Sequence, residues 1–194
     1  MENKHGHKKI KIGVAGAAET GHCDRNVLDI AKEIGRAIAL SGSVLISGAT
    51  TGFPLWTAIG AKEKGGMTIG FSPAATEKEH VEVYRLPIDF MDVTVYTGFG
   101  YIGRDVLFTR SSDALIVGCG RICTIHAFTV AYQDRKPIGV IEGVGETEDI
   151  IKQMMGKGYE PYEGIIFDRD PERLVERLIE IVQKTKKEEE NLIV

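Results

Sequence analysis

The sequence predicts an α/β fold, a doubly wound and mostly parallel sheet with helices on both faces, in one domain over residues 1–194. Three observations carry that reading. Apolar runs of strand length, such as residues 10–15 and 114–118, are continuous rather than alternating, as strands covered on both faces are. Segments with apolar residues at three-and-four spacing separate these runs. Glycine-bearing turns follow several of the strands, where a parallel strand hands over to a helix.

Residues 10–15 form the first strand, and Asp24 is expected to cap a helix whose Val27, Ile30, Ala31, Ile34, Ala37, Ile38 and Ser41 share one face. Gly42 supplies its stop. Val44–Ser47 is the second strand, residues 53–64 a helix with Pro54 in its first turn, and Met67–Ser72 the third strand. Residues 73–90, with Pro73, Pro87 and mixed charge around residues 77–82, read as a surface excursion holding a short strand at 82–85. Val93–Tyr96 is a strand, 101–111 a helix, 114–118 a central strand, 124–134 a helix and 137–142 a strand. Thr147 is expected to cap a helix reaching about Met155, and Ile165–Asp168 is the last strand. Asp170-Pro171 then opens a helix with Leu174, Val175, Leu178, Ile181 and Val182 on one stripe. Residues 1–9 are expected to be flexible and 184–194 to form a charged tail, and no internal repeat is present.

Bulk properties exclude several function classes. With a net charge of -4 and its Lys and Arg spread along the chain, the sequence has no basic stripe for nucleic acid. No apolar run nears the roughly 18 residues that cross a bilayer. The first ten residues are polar and basic with no apolar core of a signal peptide, so a cytoplasmic protein without membrane partners is expected. Cys23, Cys119 and Cys123 are an odd count without an export signal, which predicts reduced thiols.

Four glycine turns follow strands, at residues 13–21, 47–52, 97–103 and 118–120. Ligands of open parallel sheets bind at the carboxyl ends of the strands, so these turns can line one crevice; each alone is equally a tight connection. The second turn is the most pointed, because Ser47, Gly48, Thr50, Thr51 and Gly52 combine close backbone approach with two threonine hydroxyls ahead of a helix N-terminus. It lacks the lysine of a P-loop, and Gly13, Gly16 and Gly21 lack dinucleotide spacing, so neither triphosphate hydrolysis nor ordinary NAD binding is indicated. Arg104, after Gly103 at a helix start, is either a surface charge or a bidentate phosphate ligand. Cys119, Cys123 and His126, with His22 and Cys23, invite a metal, yet no CxxC pair exists and a fourth ligand is unspecified, so no metal is expected.

The turn Ser47 to Gly52 resembles the GGGxxG turn of the LONELY GUY and lysine decarboxylase-like superfamily, which includes the molybdenum cofactor carrier proteins. Gly103-Arg104-Asp105 is similar to its arginine-bearing helix start, residues 112–117 to its Ser-Ala-Asp-Ala strand entry, and residues 118–127 to its PGGxGTxxE turn. The resemblance covers residues 10–142 and implies a Rossmann-like fold, self-association, and glycine turns that cradle a nucleotide phosphate. By position it implies that Arg104 is the family arginine, Gly120 a turn glycine and, with one extra residue at 121–122, Thr124 the turn threonine. Together with the converging turns this makes Gly16, Ser47, Gly48, Thr50, Thr51, Gly52, Gly103, Arg104, Gly118, Gly120 and Thr124 the expected phosphate-binding residues. In the phosphoribohydrolase members an arginine and the last glutamate cut the base from a ribose 5′-monophosphate. Here Ala127, or His126 in the other register, stands at that glutamate, and Arg104 and His126 are the only catalytic candidates.

A neutral imidazole can act as a base but supplies no negative charge for an oxocarbenium-like centre. The expectation is therefore a small-molecule binder of a nucleoside monophosphate or a molybdopterin-type nucleotide cofactor that leaves its ligand uncut. The alternatives are a phosphoribohydrolase with another base, and a structural homo-oligomer. Self-association is expected through apolar residues exposed on helices 101–111 and 124–134, Phe108 and Phe128 among them.

Overall fold

In the computed structural model, residues 8–156 and 163–192 are described. Seven strands form one sheet: β1 (Lys11–Ala15), β2 (Val44–Ser47), β3 (Met67–Ser72), β4 (Val93–Tyr96), β5 (Ala114–Val117), β6 (Ile138–Ile141) and β7 (Ile165–Asp168). Every pairing is parallel and the order is β4-β3-β2-β1-β5-β6-β7. Strand order reverses between β1 and β5, so the turns leaving these two strands diverge and open a crevice.

The helices are α1 (Val27–Leu40), α2 (Phe53–Glu63), α3 (Glu77–Glu82), α4 (Gly100–Ser111), α5 (Ile122–Gln133), α6 (Thr147–Met155) and α7 (Pro171–Leu192). Ile12, Val14, Leu45 and Ile116 pack against α1, α2 and α7 on one face, while Leu115, Val117, Ile138 and Val140 pack against α4, α5 and α6 on the other. Continuous apolar strands are thus buried twice, which is why they do not alternate. The doubly wound α/β fold expected from the sequence is the fold that forms. Of the outermost segments, residues 1–7 and 193–194 lie outside the described residues, and α7 carries the charged stretch as helix to Leu192. No helix among the described residues is long and apolar enough to cross a membrane.

Several local expectations are corrected. Asp24 does not cap α1: Asn26 holds that position without a side-chain bond, and Asp24 instead donates its backbone N–H to Val144 at 3.1 Å. Thr147 is the first residue of α6 rather than its cap, because its hydroxyl is engaged with the backbone of Gly120. The stretch 82–85 is not a strand. Thr76 accepts from the Glu79 N–H at 3.1 Å and Glu79 reaches back to the Ala75 N–H at 2.7 Å, a capping arrangement that makes 77–82 helical despite Val81 and Val83. Phe108 and Phe128 are both buried beneath the sheet face, and the exposed apolar residues of α4 and α5 are Tyr101, Ile102, Leu107 and Ile122.

At the far end of the sheet, the buried Asp168 carboxylate accepts from Arg173 at 2.6 and 2.7 Å, Arg177 at 3.0 Å and the Asp170 N–H at 3.0 Å. These donors, Arg173 first, hold its pKa well below the usual carboxylate range. A carboxylate with a depressed folded pKa stabilises fully above its unfolded value, about 3.9, and the contribution is lost as pH falls through the folded one. Asp168→Asn is therefore expected to destabilise the chain at neutral pH and by less in strong acid. Urea unfolding across the acid limb checks it, and a gap independent of pH would refute it.

Candidate functional site

Two adjoining cavities occupy the crevice where β1, β2 and β5 end. The larger, about 370 Å³, is lined by Gly16 to Glu19 and His22 from the first turn, Thr50 from the second, Leu86, Tyr101 and Arg104, and Arg121 to Thr124 at the start of α5. The smaller, about 40 Å³, adds Gly48, Asp105, Phe108 and Ala127 and shares Gly16, Thr50, Arg104, Cys123 and Thr124 with the first. Arg104 and Arg121 outnumber Glu19 on the larger wall, which favours an anionic occupant.

Arg104 is the centre of this site. α4 leaves the sheet edge after β4 and crosses toward β5, which carries the side chain from the margin into the crevice. There it is 5% exposed, and one terminal nitrogen donates to the carbonyl of Gly48. A Cβ at residue 48 would fall inside the guanidinium, so glycine at that place is required by the arginine. Nε lies 3.0 Å from the Asp105 carboxylate without making a hydrogen bond, and the guanidinium sits 5.4 Å from the Tyr101 ring centre. Burial works against the Arg104 cation, which Asp105 opposes, and burial raises the Asp105 carboxyl, which Arg104 and then His126 oppose. His126 Nδ1 stands 3.4 Å from the second Asp105 oxygen. The result is a buried cation whose donors outnumber its acceptors.

The other expected site residues divide. Gly16, Gly48, Thr50 and Thr124 line the crevice with Arg104. Ser47 is fully buried and accepts from the Ala49 N–H at 3.3 Å, and Thr51 donates to Ala18 O at 3.0 Å, tying the second turn to the first. The Gly120 N–H is taken by Thr147 at 2.8 Å. Gly52, Gly103, Gly118 and Gly120 are outside the cavity walls, and packing accounts for them as glycine. A Cβ at Gly52 would meet the carbonyls of Ala17 and Ala18, at Gly103 the Phe99 side chain, at Gly118 the Phe53 ring and at Gly120 the Thr124 hydroxyl. Gly16 shares that origin, since its Cβ would lie 2.6 Å from the Phe53 ring.

Sequence reasoning passed over Asp105, although it follows Arg104 directly, and over Tyr101 and Arg121. Only the crossing of α4 brings the carboxylate beside His126, so no spacing rule within the α5 turn reaches it.

The expectation of reduced thiols is overturned. Cys23 and Cys119 form a disulfide beside the crevice, with Cα atoms 6.0 Å apart, and Cys123 is the exposed free cysteine. Cysteine parity was blind to it because the partners are 96 residues apart and meet only through the adjacency of β1 and β5.

A model of the SLOG cluster4 family matches residues 9–175. Over 143 residues the chain is 36% identical to an uncharacterized protein of Archaeoglobus fulgidus, covering 71% of this chain and 87% of that one. Among solved structures it is similar to the molybdenum cofactor carrier protein of Chlamydomonas reinhardtii, at 26% identity and a TM-score of 0.72 over 91% of this chain and 99% of that one. The molybdenum cofactor binding protein of the phototrophic bacterium Rippkaea orientalis shares the fold, at 24% identity and a TM-score of 0.74 over 90% and 98%.

Proposed function

The chain belongs to the SLOG cluster4 family, and from that premise we propose that it binds a phosphate-bearing nucleotide or a molybdopterin-type nucleotide cofactor in the β1/β2/β5 crevice and does not cut it. The observation that carries this reading is the buried Arg104, admitted by Gly48, lining both cavities and leaving its Nε without a hydrogen-bond acceptor. A phosphate oxygen is the acceptor that such a guanidinium lacks. Thr50 and Thr124 add hydroxyls at the same wall, while Leu86, Tyr101 and Ile122 give a planar base or pterin an apolar surface. A carrier protein in the same fold neighbourhood fits a site that holds without reacting.

The absence of cleavage rests on Ala127, whose methyl group stands where the resemblance places a glutamate. The Asp105–His126 pair favours the second reading, a nucleoside 5′-monophosphate phosphoribohydrolase, because it restores a carboxylate and a base beside Arg104. One experiment separates them. Calorimetric titration of the full chain with adenosine, guanosine and cytidine monophosphates and with a molybdopterin-type ligand is expected to give binding to at least one. Arg104→Ala should weaken it about 10- to 100-fold, the equivalent of charge-assisted hydrogen bonds worth about 1.5–3 kcal/mol. Arg104→Lys, keeping charge but not the planar fork, should fall between. Equal binding by all three proteins, or none by wild type, refutes the site. Release of free base that His126→Ala abolishes would instead establish the hydrolase.

A further inference from the structure

Three loops that leave neighbouring strands converge beside the crevice. Cys23 belongs to the loop after β1, Cys119 to the turn after β5, and Gly145 to the loop after β6. His22 Nε2 lies 3.7 Å from Cys23 Sγ, and one ligand atom from each of His22, Cys23 and Cys119 falls within 4.8 Å of the others. Gly145 leaves room at the sulfurs, since a Cβ there would lie 2.8 Å from Cys119 Sγ. Two sulfurs and an imidazole are three of the four donors that a borderline-soft tetrahedral cation takes, with water to complete the set.

We propose that His22, Cys23 and Cys119 form a zinc site that the Cys23–Cys119 disulfide closes and that reduction opens. In the first step a dithiol reductant breaks the S–S bond. Two electrons and two protons pass to the cysteines, and the reductant leaves as its own disulfide. In the second step Zn²⁺ replaces the two thiol protons, which go to solvent, and the imidazole supplies a third donor. Zinc–sulfur bonds of about 2.3 Å at a tetrahedral angle set the sulfurs roughly 3.8 Å apart. A Cα separation of 6.0 Å accommodates both this and a disulfide by side-chain rotation alone.

The loop around Cys23 is suited to survive reduction in place. Independent backbone bonds hold it, from Ala17 N–H to Cys119 O at 2.7 Å, Phe53 N–H to Ala17 O at 2.8 Å and Asp24 N–H to Val144 O at 3.1 Å. The two sulfurs therefore remain neighbours once the bond is broken, instead of swinging apart with a released loop. Because His22 also lines the large cavity, the metal would stand at the wall of the crevice. This inference does not depend on which ligand the crevice takes.

The test uses the full chain, carrying Cys123→Ser so that the exposed third thiol contributes nothing. Thiol titration under denaturing conditions should find none before reduction and both cysteines after it. Cobalt(II) is the spectroscopic probe. The reduced protein should give a thiolate-to-metal charge-transfer band with the visible bands of tetrahedral cobalt, saturating at one equivalent and displaced by Zn²⁺. The oxidised protein should give neither. Cys23→Ser, at the more exposed of the two positions, should lose the charge-transfer intensity from that thiolate, and His22→Ala should keep the band while weakening zinc about 10-fold or more. Two titratable thiols without reduction would overturn the redox gate. Unaltered cobalt spectra from Cys23→Ser, or no spectrum from the reduced protein with a native circular dichroism signal, would overturn the site.

Discussion

Phe53→Ala is expected to lower the unfolding free energy by about 3–5 kcal/mol, the range for removing a fully buried aromatic side chain. Phe53 has no exposed surface, begins α2, and donates its N–H to Ala17 O at 2.8 Å. Its ring lies beneath two of the turns that frame the crevice. A Cβ at Gly16 would sit 2.6 Å from it, and one at Gly118 would overlap it. Two of the glycines that invite a phosphate reading, Gly16 and Gly118, are thus made necessary first by an aromatic ring below them. Gly118→Ala should consequently cost about 1–3 kcal/mol by overpacking, and in a Phe53→Leu background it should cost much less. Denaturant unfolding of the two single variants and the double variant measures that coupling. Additive losses would mean that Gly118 is required for some reason other than the ring.

That coupling also explains how far the sequence is readable. The strands Val44–Ser47, Ala114–Val117 and Ile138–Ile141 fall where apolar continuity places them, to within a residue at each end, because strands buried on both faces carry an unambiguous signal. The sequence predicts no helix at 77–82 and a short strand at 82–85, where Val83 and Tyr84 favour one locally, while the side chains of Thr76 and Glu79 satisfy the amides that decide the matter. Arg104 was legible as a charged residue poised at the crevice. Its depth was not, since burial depends on α4 crossing the sheet from the β4 edge. The Asp105–His126 contact, the Phe53 support and the disulfide share this property. Each joins segments that only the tertiary fold makes neighbours, at separations that periodicity and motif spacing do not address.

Removing one member of the buried Arg104–Asp105 pair should cost about 3–5 kcal/mol, because the remaining charge is left without its principal partner. The two residues are 5% and 4% exposed, so water cannot replace what is lost. In Arg104→Met, Asp105 keeps the His126 imidazole, at 3.4 Å, as its neighbour. Arg104→Met with Asp105→Asn should recover most of the loss, since neither buried charge remains. The pH dependence has a definite sign. Burial already raises the Asp105 pKa, and Arg104 is the first of the groups that oppose the rise. Without it the folded pKa climbs further. A carboxyl with a raised folded pKa destabilises most when ionised, so the deficit of Arg104→Met should shrink as pH falls toward about 5. Urea unfolding near pH 7 and near pH 5 tests both statements, and a deficit that grows in acid would contradict them. Apolar residues of similar volume would serve the fold at least as well as this pair. The proposed ligand gives the pair a reason to be there: an anion supplies the acceptor that Arg104 lacks, and binding to the folded state alone raises stability in proportion to the logarithm of ligand concentration. A nucleotide that stabilises wild type and leaves the Arg104→Met, Asp105→Asn protein unmoved would tie the instability stored in the pair to the ligand it awaits.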